Sequence, residues 1–139
     1  MNREIMFRLR VKSRIDPDVE WDNKIVGYEK WDEKWGWMYT ELDASNYNMG
    51  WGLHHIDHTE KDQFTGLKDK NGKKIYGGDI KRDGYGDIGL VYWNNEFGGF
   101  WVKWGDGSNM PLNNGVAVKG CKIIGNIFEN PDLLEVKNA

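Results

Sequence analysis

Apolar and polar residues alternate with a period of two along much of this chain, and glycine cuts the alternation into short pieces. A period of two puts successive side chains on opposite faces of a strand. Ile5, Phe7, Leu9 and Val11 alternate with Met6, Arg8, Arg10 and Lys12, which predicts a strand with an apolar inner face and a basic outer face. Asp16-Pro17-Asp18 breaks the pattern. Two further strands are predicted at Lys24–Trp31 and Trp35–Leu42, joined by a turn at Asp32-Glu33-Lys34. Trp35, Trp37 and Tyr39 then share one face, opposite Met38, Thr40 and Leu42.

Residues 43–62 are polar and rich in Asn, Gly, His and Asp, and predict an irregular loop. The pattern sharpens from Gln63. Asn71-Gly72 separates Gln63–Leu67 from Lys73–Tyr76 and supplies the positive φ angles of a tight turn. Short strands follow at Asp79–Arg82, Gly89–Trp93, Phe100–Trp104 and Cys121–Phe128, with Phe100, Val102 and Trp104 on one face. Asn130-Pro131 is an N-cap followed by a residue suited to a first helical position, so Pro131–Val136 predicts a helical turn. Short strands at this spacing predict a small SH3-like β-barrel. The chain is therefore expected to be mainly β. A β-rich N-terminal extension covers residues 1–62, and the barrel with its C-terminal helical turn covers 63–139.

Composition narrows the classes. With 139 residues the chain is long enough to bury a core without disulfide or metal. Eighteen glycines against three prolines suit tight turns rather than disorder, and eight tryptophans argue the same way. The lone Cys121 excludes an internal disulfide and fits a reducing compartment; set among Val116, Val118, Ile123 and Ile124, it reads as a buried thiol. Met1–Lys12 lacks the apolar stretch of a signal peptide, and no apolar run reaches membrane-spanning length, so a cytoplasmic chain without membrane contact is expected. The net charge of −3 is uneven: residues 1–14 are basic, 15–62 strongly acidic and 63–139 close to balanced. Such asymmetry points to a solvated surface or a match between subunits.

The motifs that could carry chemistry fall short of their requirements. Gly84-Tyr85-Gly86-Asp87-Ile88-Gly89 has dinucleotide-fingerprint spacing, but Leu90-Val91-Tyr92-Trp93 continues as a strand, where the fingerprint needs a helix N-terminus. Asp16, Asp18, Glu20 and Asp22 alternate like calcium ligands, yet Trp21 and Gly27 stand where an EF-hand needs Gly and Glu. His54, His55 and His58 with Asp57 form the one candidate metal cluster; His54 and His58 would meet only on a helix, and the region reads as loop. Neither a Ser/His/Asp nor a Cys/His arrangement is identifiable. No enzyme activity, cofactor or metal is expected.

Two stretches are more specific than a generic β pattern. One runs Gln63-Phe64-Thr65-Gly66-Leu67-Lys68-Asp69-Lys70-Asn71-Gly72-Lys73-Lys74-Ile75-Tyr76-Gly77-Gly78-Asp79-Ile80. The other runs Ile123-Ile124-Gly125-Asn126-Ile127-Phe128-Glu129-Asn130-Pro131-Asp132-Leu133-Leu134. With Arg3-Glu4-Ile5-Met6-Phe7-Arg8, and with Glu20-Trp21 through Gly27-Tyr28, they resemble the YopX-like family of phage and prophage proteins. Position 78 departs mildly, since the family more often has an acidic residue before Gly-Asp or in that place. The resemblance implies a phage or prophage origin, a place in the host cytoplasm and self-association. It carries no activity and no catalytic residue.

The signature residues themselves are explained by structure. Asn71-Gly72 and Gly77-Gly78 meet backbone requirements, Asp79 binds backbone amides, and Gly125-Asn126 permits a bulge. The tryptophans suit cores and interfaces, because indoles bury large area yet need a partner for their N–H. Trp35 and Trp37 are the candidate contact residues, with Lys70, Lys73 and Lys74 at the hairpin tip. The expected role is a non-enzymatic accessory protein acting by homo-oligomerisation and by binding a host or phage protein. One alternative is a small-barrel nucleic-acid module using Lys68, Lys70, Lys73, Lys74, Lys81 and Arg82. Another is an inhibitor of a host protein that offers residues 43–62.

Overall fold

The buried carboxylate of Asp69 ties its own turn to a distant backbone segment of the C-terminal half. Its Oδ1 accepts hydrogen bonds from the amides of Asn71 and Lys73, both at 2.9 Å, and its Oδ2 accepts one from Ile123 at 2.9 Å. These contacts come from a computed structural model that describes residues 4–13, 22–41, 51–112 and 120–134. The turn expected at 16–18, most of the alternating carboxylates, residues 43–50 and the end of the predicted C-terminal turn lie outside the described residues.

The chain is mainly β, as its alternation predicts. Among the described residues ten strands form two five-stranded sheets, and a 3-10 turn, Pro131–Leu134, follows the last of them. The strands are β1 (Met6–Arg10), β2 (Ile25–Asp32), β3 (Gly36–Glu41), β4 (Glu60–Lys68), β5 (Lys74–Tyr76), β6 (Asp79–Arg82), β7 (Ile88–Asn94), β8 (Gly99–Trp104), β9 (Asn109–Pro111) and β10 (Lys122–Asn126). Two compact units result, 1–64 and 65–139, and β4 runs from one into the other. β4 begins three residues earlier than the sequence predicts, because Glu60, Lys61 and Asp62 pair with Arg10, Leu9 and Arg8. β9 was not foreseen: Asn109-Met110-Pro111 alone carries no alternation, yet it pairs with Trp101–Lys103.

In the first unit β1 is the middle strand, flanked by β2 and β4. A middle strand has both faces available for burial, and the basic face of β1 is not solvated as expected. Arg8 and Arg10 are only 5 % and 6 % exposed. Asp62, directly opposite Arg8, neutralises them: Arg8 Nε lies 3.1 Å from Oδ2, and Arg10 donates from Nε (2.9 Å) and Nη2 (2.8 Å) to the two oxygens. Arg10 Nη1 also donates to Asn23 Oδ1 at 2.8 Å. Removing one partner from such a buried pair costs about 3–5 kcal/mol, since the other charge is left stranded.

In the second unit Ile75, Val91, Val102, Cys121 and Ile123 form the core, with Leu67, Phe100, Trp104, Met110 and Leu112 packed on it. Burial of each large aliphatic side chain contributes about 1.5–3 kcal/mol. The sheet order is β10-β6-β7-β8-β9, all antiparallel. Among the described residues the strand ladder does not close into a continuous barrel. The β4–β5 hairpin instead reaches β10 by single bonds, from Lys70 N to Cys121 O (3.0 Å) and from Ile123 N to Asp69. The turn in that hairpin also differs from expectation, because Gly72 alone takes a positive φ (82°). Gly72 N donates to Asp69 O and Asp69 N to Lys73 O, which makes a four-residue turn closed by a glycine bulge. Gly78 is required for two reasons: its φ is 92°, and a Cβ there would stand 2.6 Å from the Phe128 ring. Asp79 accepts from Tyr76 N at 2.8 Å, as its position predicts, and the β10 register shifts between Ile123 and Gly125, where a bulge was expected.

Burial opposes charge on Asp69, but the Ile123, Lys73 and Asn71 amides outweigh it and hold the carboxyl below its ordinary 3.8. A depressed carboxyl contributes stability that is complete above 3.8 and lost as pH falls through the folded value. Asp69→Ala should therefore lower the unfolding free energy by about 3 kcal/mol at neutral pH, with three amides left unpaired. Urea titrations at descending pH should show the gap between wild type and Asp69→Asn narrowing below the ordinary carboxyl range.

Candidate functional site

The residues singled out by sequence are divided between the two units. Trp35 and Trp37 belong to the first unit; Lys70, Lys73 and Lys74 belong to the second.

In the first unit the β2–β3 hairpin presents indoles to solvent. Trp31 and Trp37 are directly opposite each other in register, their rings 5.4 Å apart and edge to face. Cross-strand aromatic pairs of this kind stabilise a hairpin by up to about 1 kcal/mol. Phe7 from β1 extends the pair, 6.1 Å from Trp37. Trp31 is nevertheless 47 % exposed, Trp37 38 % and Trp35 56 %. Trp35 stands apart at the turn, with Lys34 Nζ 5.0 Å from its ring centroid. Asp32 shapes that turn by accepting from Lys34 N (2.8 Å) and Trp35 N (2.9 Å). Those two amides, Trp35 first, pull the Asp32 carboxyl below its usual value.

Beside the aromatic strip lies a polar cluster that sequence reasoning missed. Glu29 is 3 % exposed. Lys61 Nζ donates to its Oε1 at 2.9 Å and also lies 4.4 Å from the Phe7 ring and 5.5 Å from the Trp37 ring. His58 Nε2 is 3.9 Å from Glu29 Oε2, and Tyr39 hydrogen-bonds the same carboxylate. The signal was present: Phe7, Glu29 and Tyr39 occupy one register row, and only the pairing of β1 with β2 and β3 reveals it.

Residues 51–59 contain no helix, so His54 and His58 do not meet as a helical pair. His55 and His58 come together instead, ring centroids 5.3 Å apart, and His55 also packs against Tyr39. Among the described residues no three His, Cys, Asp or Glu side chains gather as metal ligands. Of the acidic alternation only Asp22 is described, and it accepts from Ser13 N. Residues 84–87 form a hairpin turn, with Asp83 Oδ1 accepting from Tyr85 N and Asp87 N, and Ile88-Gly89 already belong to strand β7.

In the second unit Lys70 and Lys73 are exposed, whereas Lys74 is half-buried in β5. Lys81, counted in the basic footprint from sequence, is fully buried with Nζ 4.6 Å from the Trp104 ring. Burial pushes its ammonium below the ordinary 10.5. Cys121 is buried, and burial raises its thiol, so the sulfur stays protonated at neutral pH. A second aromatic group crowns β7–β8: Phe97 stacks on Trp101 at 4.9 Å, and Trp93 meets Phe100 edge to face at 5.1 Å. Phe97 is 64 % exposed and was not foreseen, because it sits in a turn.

The Tyr39 hydroxyl is raised above 10.0 by burial, by the charge of Glu29 and by its bond to Glu29. Glu29→Gln removes the charge and leaves only a neutral amide oxygen to accept from the hydroxyl. The high-pH tyrosinate absorbance of that variant should therefore rise at lower pH than in wild type. Superimposable titrations would show that Tyr39 does not sense Glu29.

No helix among the described residues is long and apolar enough to cross a membrane. No curated protein matches the chain. The family described as YopX protein matches residues 21–135, a span that begins after β1 and takes in the tryptophan hairpin and the Asp69 turn. The chain belongs to the YopX protein family.

Proposed function

We propose that this YopX-family protein is a non-enzymatic accessory protein of phage or prophage origin. It works in the host cytoplasm by binding protein, and its first partner is another copy of itself. The observation that carries this reading is the β2–β3 hairpin, which keeps Trp31, Trp35 and Trp37 between 38 % and 56 % exposed. Large apolar side chains grouped on a surface mark interaction sites, and Trp is the residue most enriched at binding hot spots.

The magnitude is sufficient. An indole offers about 150–250 Å², and roughly half of that is still wet here. Covering three such rings returns about 7 kcal/mol at 25 cal/mol/Å² before the cost of association. The hairpin is also prepared for contact. Asp32 fixes its turn, the Trp31–Trp37 pair fixes its twist, and the Glu29–Lys61 bond holds a cation against Phe7 and Trp37. Rigid anchors lose little entropy on binding.

Light scattering from about 10 to 500 µM tests the proposal, because the cost of association leaves a weaker Kd than 7 kcal/mol alone would give. The expected mass is a multiple of 16.2 kDa. The double variant Trp31→Ser/Trp37→Ser should run as one chain and stay folded, its urea midpoint lowered by loss of a cross-strand pair that contributes up to about 1 kcal/mol. A wild-type mass of one chain would remove self-association.

A further inference from the structure

The second unit carries a cluster of cations that neither the core nor the tryptophan hairpin accounts for. Lys122 of β10 and Arg82 of β6 are directly opposite each other in an antiparallel pair, and both are exposed. Like charges placed opposite each other on a sheet destabilise it. Lys70 joins them: its amide donates to Cys121 O, which sets it beside Lys122, and its side chain is exposed. Lys73 follows at the same turn, also exposed. The carboxylates nearest in sequence are already engaged. Asp69 is buried under the Asn71, Lys73 and Ile123 amides, and Asp83 Oδ1 accepts from Tyr85 N and Asp87 N.

We propose that Lys70, Arg82 and Lys122 form a binding site for the phosphodiester backbone of nucleic acid. Lysine on an edge strand can serve to deter unwanted strand pairing, and β10 is the outer strand of its sheet. That role does not explain Arg82, which stands on β6 between β10 and β7. Opposed side chains on an antiparallel pair start about 5 Å apart, so an Arg and a Lys of this reach can flank one phosphate while Lys70 takes a neighbour. Phosphate recognition needs charge and little else. A protein partner needs an aromatic or aliphatic anchor, and no aromatic side chain belongs to this cluster. The site supplies affinity without sequence preference, because phosphate contacts position a strand but do not read its bases. It is independent of the tryptophan hairpin, which lies in the other unit.

Fluorescence anisotropy with the full chain and a labelled oligonucleotide of about 20 nucleotides, single-stranded and as a duplex, tests the site. Three phosphate contacts predict that affinity falls about 20- to 40-fold between about 50 and 200 mM salt. The double charge reversal Arg82→Glu/Lys122→Glu should weaken low-salt binding at least about tenfold and lower the salt slope by about one per cation removed. The milder Lys70→Gln/Lys122→Gln should weaken it in the same direction with its urea midpoint unchanged. Trp31→Ser/Trp37→Ser should bind like wild type, which separates this site from self-association. No binding at low salt would overturn the proposal, and so would undiminished binding by both cation variants. Equal displacement by poly-glutamate would overturn it in favour of an acidic protein partner.

Discussion

Three backbone amides converge on the Asp69 carboxylate, and the organisation of the second unit depends on that meeting. Its strands are short: β5 and β9 have three residues each and β6 has four. Strands of that length leave many backbone groups outside a ladder, and each buried one costs free energy unless it finds a partner. Asp69 supplies partners at the turn and across to β10 at once. Asp79 does the same for Tyr76 N, and Asn126 for the amides of Phe128 and Glu129. Side-chain acceptors thus stand in for the ladder that does not close. The core of Ile75, Val91, Val102 and Ile123 packs against segments already positioned by these bonds.

The first unit applies the same rule with charge. Asp62 and Glu29 are both nearly inaccessible and lie on neighbouring strands of β1. Asp62 faces Arg8 and Arg10, and Glu29 faces Lys61, His58 and Tyr39. Polar groups fill positions on both faces of β1 that aliphatic residues would ordinarily take, while Trp31, Trp35 and Trp37 are left outside. Replacing buried ion pairs by apolar residues is often neutral or stabilising, so this inversion is not explained by stability. It is explained if the indoles are meant for another surface.

The sequence made the elements legible but not their neighbours. Alternation located β1, β2, β3, β6, β7, β8 and β10 to within a few residues, because one face of each is apolar. It misread Arg8 and Arg10, since their neutralising carboxylate lies more than fifty positions away in the chain. It also misread Lys81, which beside Arg82 looks solvated but sits at 0 % exposure. β9 was invisible because three residues cannot establish a period. Of the candidate contact residues, Trp35, Trp37, Lys70 and Lys73 were legible as exposed, since each neighbours a turn. Phe97, Lys122 and the Glu29 cluster were not, because their meaning depends on register, which a single sequence leaves open until strands are paired.

Lys81 shows how far pairing can override composition. A lysine at zero exposure would ordinarily shed its proton or unfold its surroundings. Here its register partner is Ile123, and its ammonium lies on the Trp104 face. A cation over an indole gains more when water is excluded, and the nearby Asp83 opposes the loss of the proton that burial favours. The same strand then turns Arg82, one residue later, out to solvent opposite Lys122. Two adjacent basic residues therefore have opposite physical roles: one helps hold β6 against the core, and the other lies exposed on the surface. A two-residue period makes that separation unavoidable once Lys81 is buried, so packing the interior is what brings Arg82 to the cationic edge.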